Sequence, residues 1–255
     1  MFQSGFMNGK KYNLNKMSLK ELVSAYFQYY AIQAYIVAGF VSVYITIEFY
    51  TEATPIIVGP LMVVMVYPLV WYILHRFVLH GKWMYKSPLT AKVWKRIHFD
   101  HHQDPHDLGV LFGALYTTLP TILLVTIPIG YALGGIAGAA AATAAGMFMT
   151  CFYEFCHCIQ HLSYKPKSKM LDHMKKSHMA HHFHDETGNY GITNFAWDKL
   201  FNSYYARKER PEKSPTVFNL GYDEAEAEKY PWVARLSGGI GPSNPRDRRQ
   251  EAGQN

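Results

Sequence analysis

Three stretches of the chain contain no Asp, Glu, Lys or Arg: residues 22–47, 53–74 and 108–153, which are 26, 22 and 46 residues long. A helix that crosses the hydrocarbon core of a bilayer needs about 20 residues at about 1.5 Å each. The first two stretches therefore predict one membrane span each. The third predicts two, with a turn near Gly130, Gly134 and Gly135. The expected spans are about 24–47, 54–75, 109–130 and 136–157. Around them the chain divides into a polar lead (1–20), a membrane domain (21–236) and a tail (237–255) whose Gly, Pro, Arg and Gln residues show no apolar periodicity and predict disorder. Two polar-aromatic stretches predict helices lying in the headgroup layer. One interleaves Val93, Trp94 and Ile97 with Lys92, Lys95 and Arg96; the other presents Phe195, Trp197, Leu200, Phe201, Tyr204 and Tyr205.

The basic residues orient the spans. Lys10, Lys11, Lys16 and Lys20 precede the first, six lie in the 75–107 insert, and fifteen follow the fourth. The link between spans one and two carries only Glu48 and Glu52, and the link between three and four is uncharged. Under the positive-inside tendency both termini and the 75–107 insert are cytoplasmic. This predicts a multi-pass protein of the inner membrane in a bacterium or of the endoplasmic reticulum in a eukaryote. No signal-peptide pattern opens the sequence, so no cleaved leader is expected.

Composition adds little beyond this. Of the 255 residues 49% are hydrophobic and 17% charged, and the mean hydropathy of −0.10 hides the segregation. The net charge of +6 reflects orientation; no nucleic-acid module is visible. Cys151, Cys156 and Cys158 sit too close together to frame a secreted disulfide scaffold.

Histidine carries the chemistry. All thirteen lie within the 110 residues from His75 to His184. Ten fall into four blocks: His75-x4-His80, His98-x2-His101-His102, His157-x3-His161 and His178-x2-His181-His182. Positions i, i+3 and i+4 share one helical face, so each three-histidine block aims its imidazoles at one point, and His157 and His161 share a face. On an ideal α-helix His75 and His80 stand about 140° apart, which demands a helix end or a site between the rings. Each block adjoins an expected membrane boundary. Neutral imidazole is a leading ligand for iron, zinc, copper and nickel, and one metal takes four to six ligands, so ten histidines predict two metals. No Cys-x2-Cys or His-Glu-x2-His motif is present. Cys156 and Cys158 flank His157 and point away from it, which predicts core packing.

The order and spacing of the blocks resemble the fatty acid hydroxylase/sterol desaturase superfamily of integral membrane di-iron oxygenases. The run His181-His182-Phe183-His184-Asp185-Glu186-Thr187, followed by Asn189-Tyr190-Gly191 and Trp197-Asp198-Lys199-Leu200-Phe201, is similar to its hydroxylase members, and the third block is closest to fatty acid 2-hydroxylases. The resemblance covers roughly residues 71–205. It implies an all-α membrane protein: four transmembrane helices in two hairpins, capped by a cytoplasmic helical domain with a histidine-rich dimetal site. It also implies two iron ions, for which zinc can substitute in purified protein, with O2 as co-substrate. The implied ligands are His75, His80, His98, His101, His102, His157, His161, His178, His181 and His182, with no separate catalytic residue. The stretch from His161 to His178 is longer than the family pattern leads one to expect, which leaves His173 as an alternative ligand. His184, Glu154 and Asp185 join it as additional ligands or ring-orienting groups, and Asp100, Asp172 and Glu186 are further ring-orienting carboxylates. Glu154 leads these, because an acid one turn before His157 near the membrane is costly unless paired.

The implied reaction is hydroxylation of an unactivated C–H bond of a lipid, foremost a fatty acyl chain. Carotenoid hydroxylation, sterol oxidation and desaturation are the alternatives. The haem-carrying domain fused to eukaryotic 2-hydroxylases has no counterpart here, so a separate electron-donor protein is expected. A non-enzymatic metal transporter is the reading from another class. It would carry ionisable ligands in mid-membrane, whereas these spans keep histidine at their ends.

Overall fold

The computed structural model describes residues 11–240; the first ten residues of the lead, and residues 241–255 of the predicted 237–255 tail, lie outside the described residues. Helix formation begins at a capping box. Ser18 Oγ accepts the Glu21 N–H at 3.3 Å and Glu21 Oε2 accepts the Ser18 N–H at 2.8 Å, which satisfies two donors that a helix start leaves over. Helix α1 (Leu19–Gln28) ends at Tyr29, whose extended backbone separates it from α2 (Tyr30–Glu48). The first predicted span thus starts later than expected, for a tertiary reason. Tyr29 is buried, stacks on Phe112 at 4.1 Å and accepts a hydrogen bond from Arg96 Nη2 at 2.9 Å.

Helix α3 (Ala53–Ile73) runs on into a π-helical turn, Leu74–Leu79. Next come α4 (Pro88–Trp94), a second π-helical turn (Lys95–Phe99), α5 (Asp100–Gln103) and α6 (Leu108–Leu111). Then follow α7 (Leu115–His161), α8 (Lys169–Phe183), α9 (Ala196–Leu200), α10 (Glu224–Lys229) and α11 (Trp232–Ser237). No β-strand occurs among the described residues, only one isolated bridge between Asn13 and Asp107.

Three segments among the described residues are long and apolar enough to cross a membrane: Tyr30–Glu48, Ala53–Leu79 and Leu108–His161. The third is folded on itself. Gly134 and Gly135 leave helical geometry, and Gly135 takes φ 56° with ψ −139°, a region essentially confined to glycine and costing a side chain about 1–3 kcal/mol. The arms then run back against each other. The Thr126 and Thr143 hydroxyls meet at 3.0 Å, and Gly146 lies against Ile122 and Thr126. Gly130 and Gly138 approach so closely that a Cβ on either would enter the other's carbonyl. The predicted turn therefore holds, and the glycines around it act by permitting contact as well as by bending. Both α2 and α3 pack on this hairpin, while Phe40, Tyr44, Ile47, Met65 and Leu124 stay exposed on the outside.

The short helices gather around the C-terminal ends of α3 and α7. One buried core joins α1, α2 and α6 to α7 through Leu22, Ile32, Leu111 and Met147, and it takes in Cys158 as a packing residue. Leu14, within the polar lead, belongs to it too. A second core packs Met84, Tyr85 and Trp94 against Tyr222 and Val233. This corrects the first interfacial prediction: Trp94 is 1% exposed and its Nε1–H donates to Leu79 O at 2.6 Å. The second stretch is mixed, with Phe195 buried and Leu200 and Phe201 exposed.

The hairpin contact predicts that Gly138→Leu lowers the thermal unfolding midpoint in detergent. The expected loss is at least the roughly 1–3 kcal/mol of overpacking, because the obstructing atoms are backbone and cannot rotate away. Gly135→Ala should cost about 1–3 kcal/mol. An unchanged midpoint for Gly138→Leu would contradict the antiparallel arms.

Candidate metal centre

The ten histidines of the four blocks meet in two groups of five. His75, His80, His98, His102 and His181 form the first; His101, His157, His161, His178 and His182 form the second. Within each group one ring nitrogen per residue lies within 4.8 Å of all the others. The groups adjoin: His101 and His102 are sequence neighbours, and the His102 and His182 rings stand 4.2 Å apart.

Local backbone explains how the rings converge. His75 and His80 share a face because the helix widens there. The His80 N–H donates to His75 O at 3.0 Å, closing the i→i+5 turn of a π-helix, a device frequent at functional sites. The geometric problem that the spacing posed is solved by the backbone. The second π-helical turn contains His98 and delivers it beside His80, Nε2 to Nε2 at 2.8 Å. His101 and His102 follow on α5 and diverge, one into each group, which corrects the expectation that each three-histidine block aims its imidazoles at one point: neighbouring residues stand about 100° apart on a helix. On α7, His157 and His161 lie one turn apart; on α8, His178 and His182 do the same, with His181 turned to the other group.

Backbone carbonyls orient the first group. His75 Nδ1–H donates to Tyr190 O at 2.6 Å, His181 Nδ1–H to Gly188 O at 2.8 Å and His102 Nδ1–H to Val217 O at 3.0 Å. Each bond fixes the tautomer and leaves the Nε2 lone pair facing inward. The expected carboxylates are elsewhere. Asp100 pairs with Lys95 at 2.6 Å, Asp172 with Lys176, and Asp185 Oδ1 accepts the Thr187 N–H and hydroxyl. Glu186 accepts the Thr216 hydroxyl at 2.5 Å, and Glu154 accepts the Gly113 N–H at 3.1 Å. None of the five is hydrogen-bonded to an imidazole.

Both groups fit a metal. His80 Nε2 stands 2.8, 3.1 and 3.3 Å from the Nε2 atoms of His98, His181 and His75. One proton on His80 can satisfy only one of these three, so lone pairs converge on a point. In the second group His161 and His178 approach at 2.9 Å through Nε2, and both nitrogens of His101 and of His182 are buried without a hydrogen-bond partner. Adjacent ligands about 2.0–2.1 Å from a metal stand about 3 Å apart, which matches these separations. Burial holds the rings neutral, as a ligand must be. It pushes His98, His101, His178, His181 and His182 well below the ordinary imidazole value, and His102 down to about 3.

A cavity of about 220 Å³ touches both groups, at His75 and His98 and at His101, His157, His178 and His182. Its walls are Trp71, Leu74 and Val78 from the end of α3 and its π turn, Ile97, Leu111, and Thr118, Tyr153 and Glu154 from the two arms of α7. Glu154 therefore faces the cavity instead of orienting a ring.

Three histidines stand apart. His173, five residues before His178 and thus about 140° around the helix, is exposed beside Phe195 and Tyr204. His184 Nε2–H donates to Pro211 O at 2.8 Å, and His106 Nδ1–H to His161 O at 3.1 Å. Motif reading missed what supports the rings: Asn189, the Gly188, Tyr190 and Val217 carbonyls, and Asp198, which is fully buried and accepts the Tyr190 and Gly191 N–H groups at 2.8 Å. The Asn189-Tyr190-Gly191 and Asp198 run was the available signal; a bare carbonyl such as Val217 offers none.

The chain is similar in sequence and in fold to known proteins. The sequence profile of the fatty acid hydroxylase family matches residues 60–203, which include every grouped histidine. The chain is 29% identical over 148 residues to the ceramide very long chain fatty acid hydroxylase SCS7 of Saccharomyces cerevisiae, covering 55% of this chain and 36% of that one. It is 33% identical over 153 residues to the dihydroceramide fatty acyl 2-hydroxylase FAH2 of Arabidopsis thaliana, covering 59% and 62%. The chain thus spans less than two thirds of each relative. A solved structure of full-length scs7p, in which only the hydroxylase domain is visible, superposes with a TM-score of 0.57 at 25% identity, over 79% of this chain and 71% of that one.

The buried neutral rings predict an acid-labile metal-free protein. In the unfolded chain imidazole takes up its proton near pH 6.5; in the fold it does so only far below. Stability is therefore level above pH 6.5 and falls as pH drops beneath it, by up to about 1.4 kcal/mol per pH unit for each ring. Unfolding midpoints of chelator-stripped protein between pH 7.5 and about 5 test this; a flat profile would mean the rings are not buried neutral.

Proposed function

The chain belongs to the fatty acid hydroxylase family, and on that premise we propose that it is a membrane oxygenase that hydroxylates a fatty acyl chain of a lipid. The reading includes O2 as co-substrate, two irons held by the ten grouped histidines, and electrons from a separate donor protein. The observation that carries it is one cavity reached by both imidazole groups and walled on its other sides by apolar side chains such as Trp71, Leu74, Val78 and Leu111, together with Thr118, Tyr153 and Glu154 of α7.

Iron in the two groups would supply the activation of O2 and the oxidation of the C–H bond. The chain's own residues do the rest. Ten neutral nitrogens hold the metals without adding negative charge and, unlike thiolates, resist oxidation. Trp71, Leu74, Val78 and Leu111 line a space suited to an acyl chain and exclude water from the reacting carbon. Tyr190, Gly188 and Val217 carbonyls keep three rings from turning away.

The membrane placement supports the substrate class. Each arm of α7 is long enough to cross alone: the first, from residue 115 to 133, measures about 28 Å at 1.5 Å per residue. Counting these with α2 and α3, we read four spans; the positive-inside tendency supports putting the histidines and both described ends of the chain on the cytoplasmic side, with the short helices as a cap over the metals. An apolar substrate then reaches the cavity from the bilayer.

The test joins metal content of detergent-purified protein, made in iron-supplemented cells, with mass spectrometry of the host's lipids. We expect two metals per chain and a lipid heavier by one oxygen atom. His181→Ala, in the first group, and His101→Ala, in the second, should each lose metal and abolish the product while the protein stays inserted. Full activity in both variants would end the reading, and turnover by pure protein without any reductant would remove the donor from it.

A further inference from the structure

Resting on the two-metal reading, we infer that the two groups are unequal: the first is a preorganised site whose rings are set by a loop that Asp198 clamps, and the second is the labile site facing the cavity. Two carbonyls of one short loop, Gly188 O and Tyr190 O, hold His181 and His75 of the first group. That loop is fastened from beneath. Asp198 Oδ1 accepts the Tyr190 N–H and the Ser203 hydroxyl, and Oδ2 accepts the Gly191 N–H, all at 2.8 Å. A buried carboxylate with three donors is stably placed. Asn189, at φ 54°, adds a second fastening: its N–H donates to Ser203 O at 2.8 Å, and its amide exchanges bonds with the Tyr205 backbone at 3.1 Å. Neither carbonyl can swing away unless this clamp opens.

The second group has no counterpart. His101 and His182 lack a hydrogen-bond partner at both nitrogens, and His161 and His178 lack one at Nδ1. Four of its five rings also line the cavity, against two from the first group. A ring already held from behind loses less freedom when its other nitrogen binds, and such outer partners are worth about 10–100-fold in metal affinity. Asp198 touches no metal-facing nitrogen; it is a positioning residue acting through the Tyr190 loop.

The experiment follows metals per chain while the detergent-purified full chain is incubated with a chelator. The wild type should start with two and lose one in a fast phase, the other at least about tenfold more slowly. Asp198→Asn puts an NH2 where the loop presents donors. It should accelerate the slow phase about 10–100-fold and leave the fast phase unchanged. Double variants locate the effect. Combined with His161→Ala, Asp198→Asn should leave no tightly held metal; combined with His80→Ala, it should add nothing to His80→Ala alone. Asn189→Gly keeps the left-handed backbone and removes one fastening, so it should act in the same direction and more weakly, and it serves if Asp198→Asn does not fold. Two equal phases in the wild type, or variants that release both metals alike, would overturn the inequality. Fewer than one metal per chain in the wild type would sink the two-metal reading itself, and this inference with it.

Discussion

Ten imidazoles kept neutral inside the protein are the constraint on which the rest depends. A buried imidazolium is expensive, and ten together would be prohibitive. The fold meets this by excluding water from almost every ring, three of which are held by backbone carbonyls while others face one another. Rings arranged so that lone pairs converge at about 3 Å repel unless a cation shares them. The histidines are thus a preformed demand for metal, and the helices around them are arranged to meet it.

That demand distorts the backbone locally. Both departures from α-helical geometry that carry a grouped histidine within them are π-helical turns, at Leu74–Leu79 and Lys95–Phe99. A π turn loosens hydrogen bonding and is tolerated where its neighbours brace it. Here Trp94 Nε1–H ties to Leu79 O, and Arg76 bonds the Tyr72 hydroxyl and Phe201 O. The aromatic core that holds Trp94, with Tyr85 and Tyr222, is therefore part of how the grouped histidines are presented, though it lies outside the site.

The hairpin of α7 joins the histidine groups to the cavity. Its two arms touch through glycine and threonine near the turn and separate toward the histidines, where Thr118, Tyr153 and Glu154 face the cavity. Close approach at one end and space at the other come from the same sequence, small residues giving way to larger ones along the arms. Glu154, bound to the Gly113 N–H, is the polar group that this wall of the cavity presents beside the metal-facing rings.

Much of this was legible in the chain itself. Charge-free runs of spanning length, the glycines of the turn and the ten histidines all follow from residue identity, because hydrocarbon excludes charge and few other side chains are neutral nitrogen ligands. The membership of the ten block histidines could be read from spacing alone, whereas His173 and His184, left open there as further ligands, are set apart from the two groups only by the structure. The division into two groups could not, since His101 and His102 are adjacent and only the packing of α5 against α7 and α8 sends them apart. Nor could the π turn that aligns His75 with His80, because spacing counts residues and not the hydrogen-bond register that closes around them. The ring-orienting partners were expected among carboxylates and proved to be carbonyls. Every residue carries a carbonyl, so composition cannot mark which ones matter; only the tertiary fold, through the loop that Asp198 and Asn189 hold in place, decides which of them meets an imidazole.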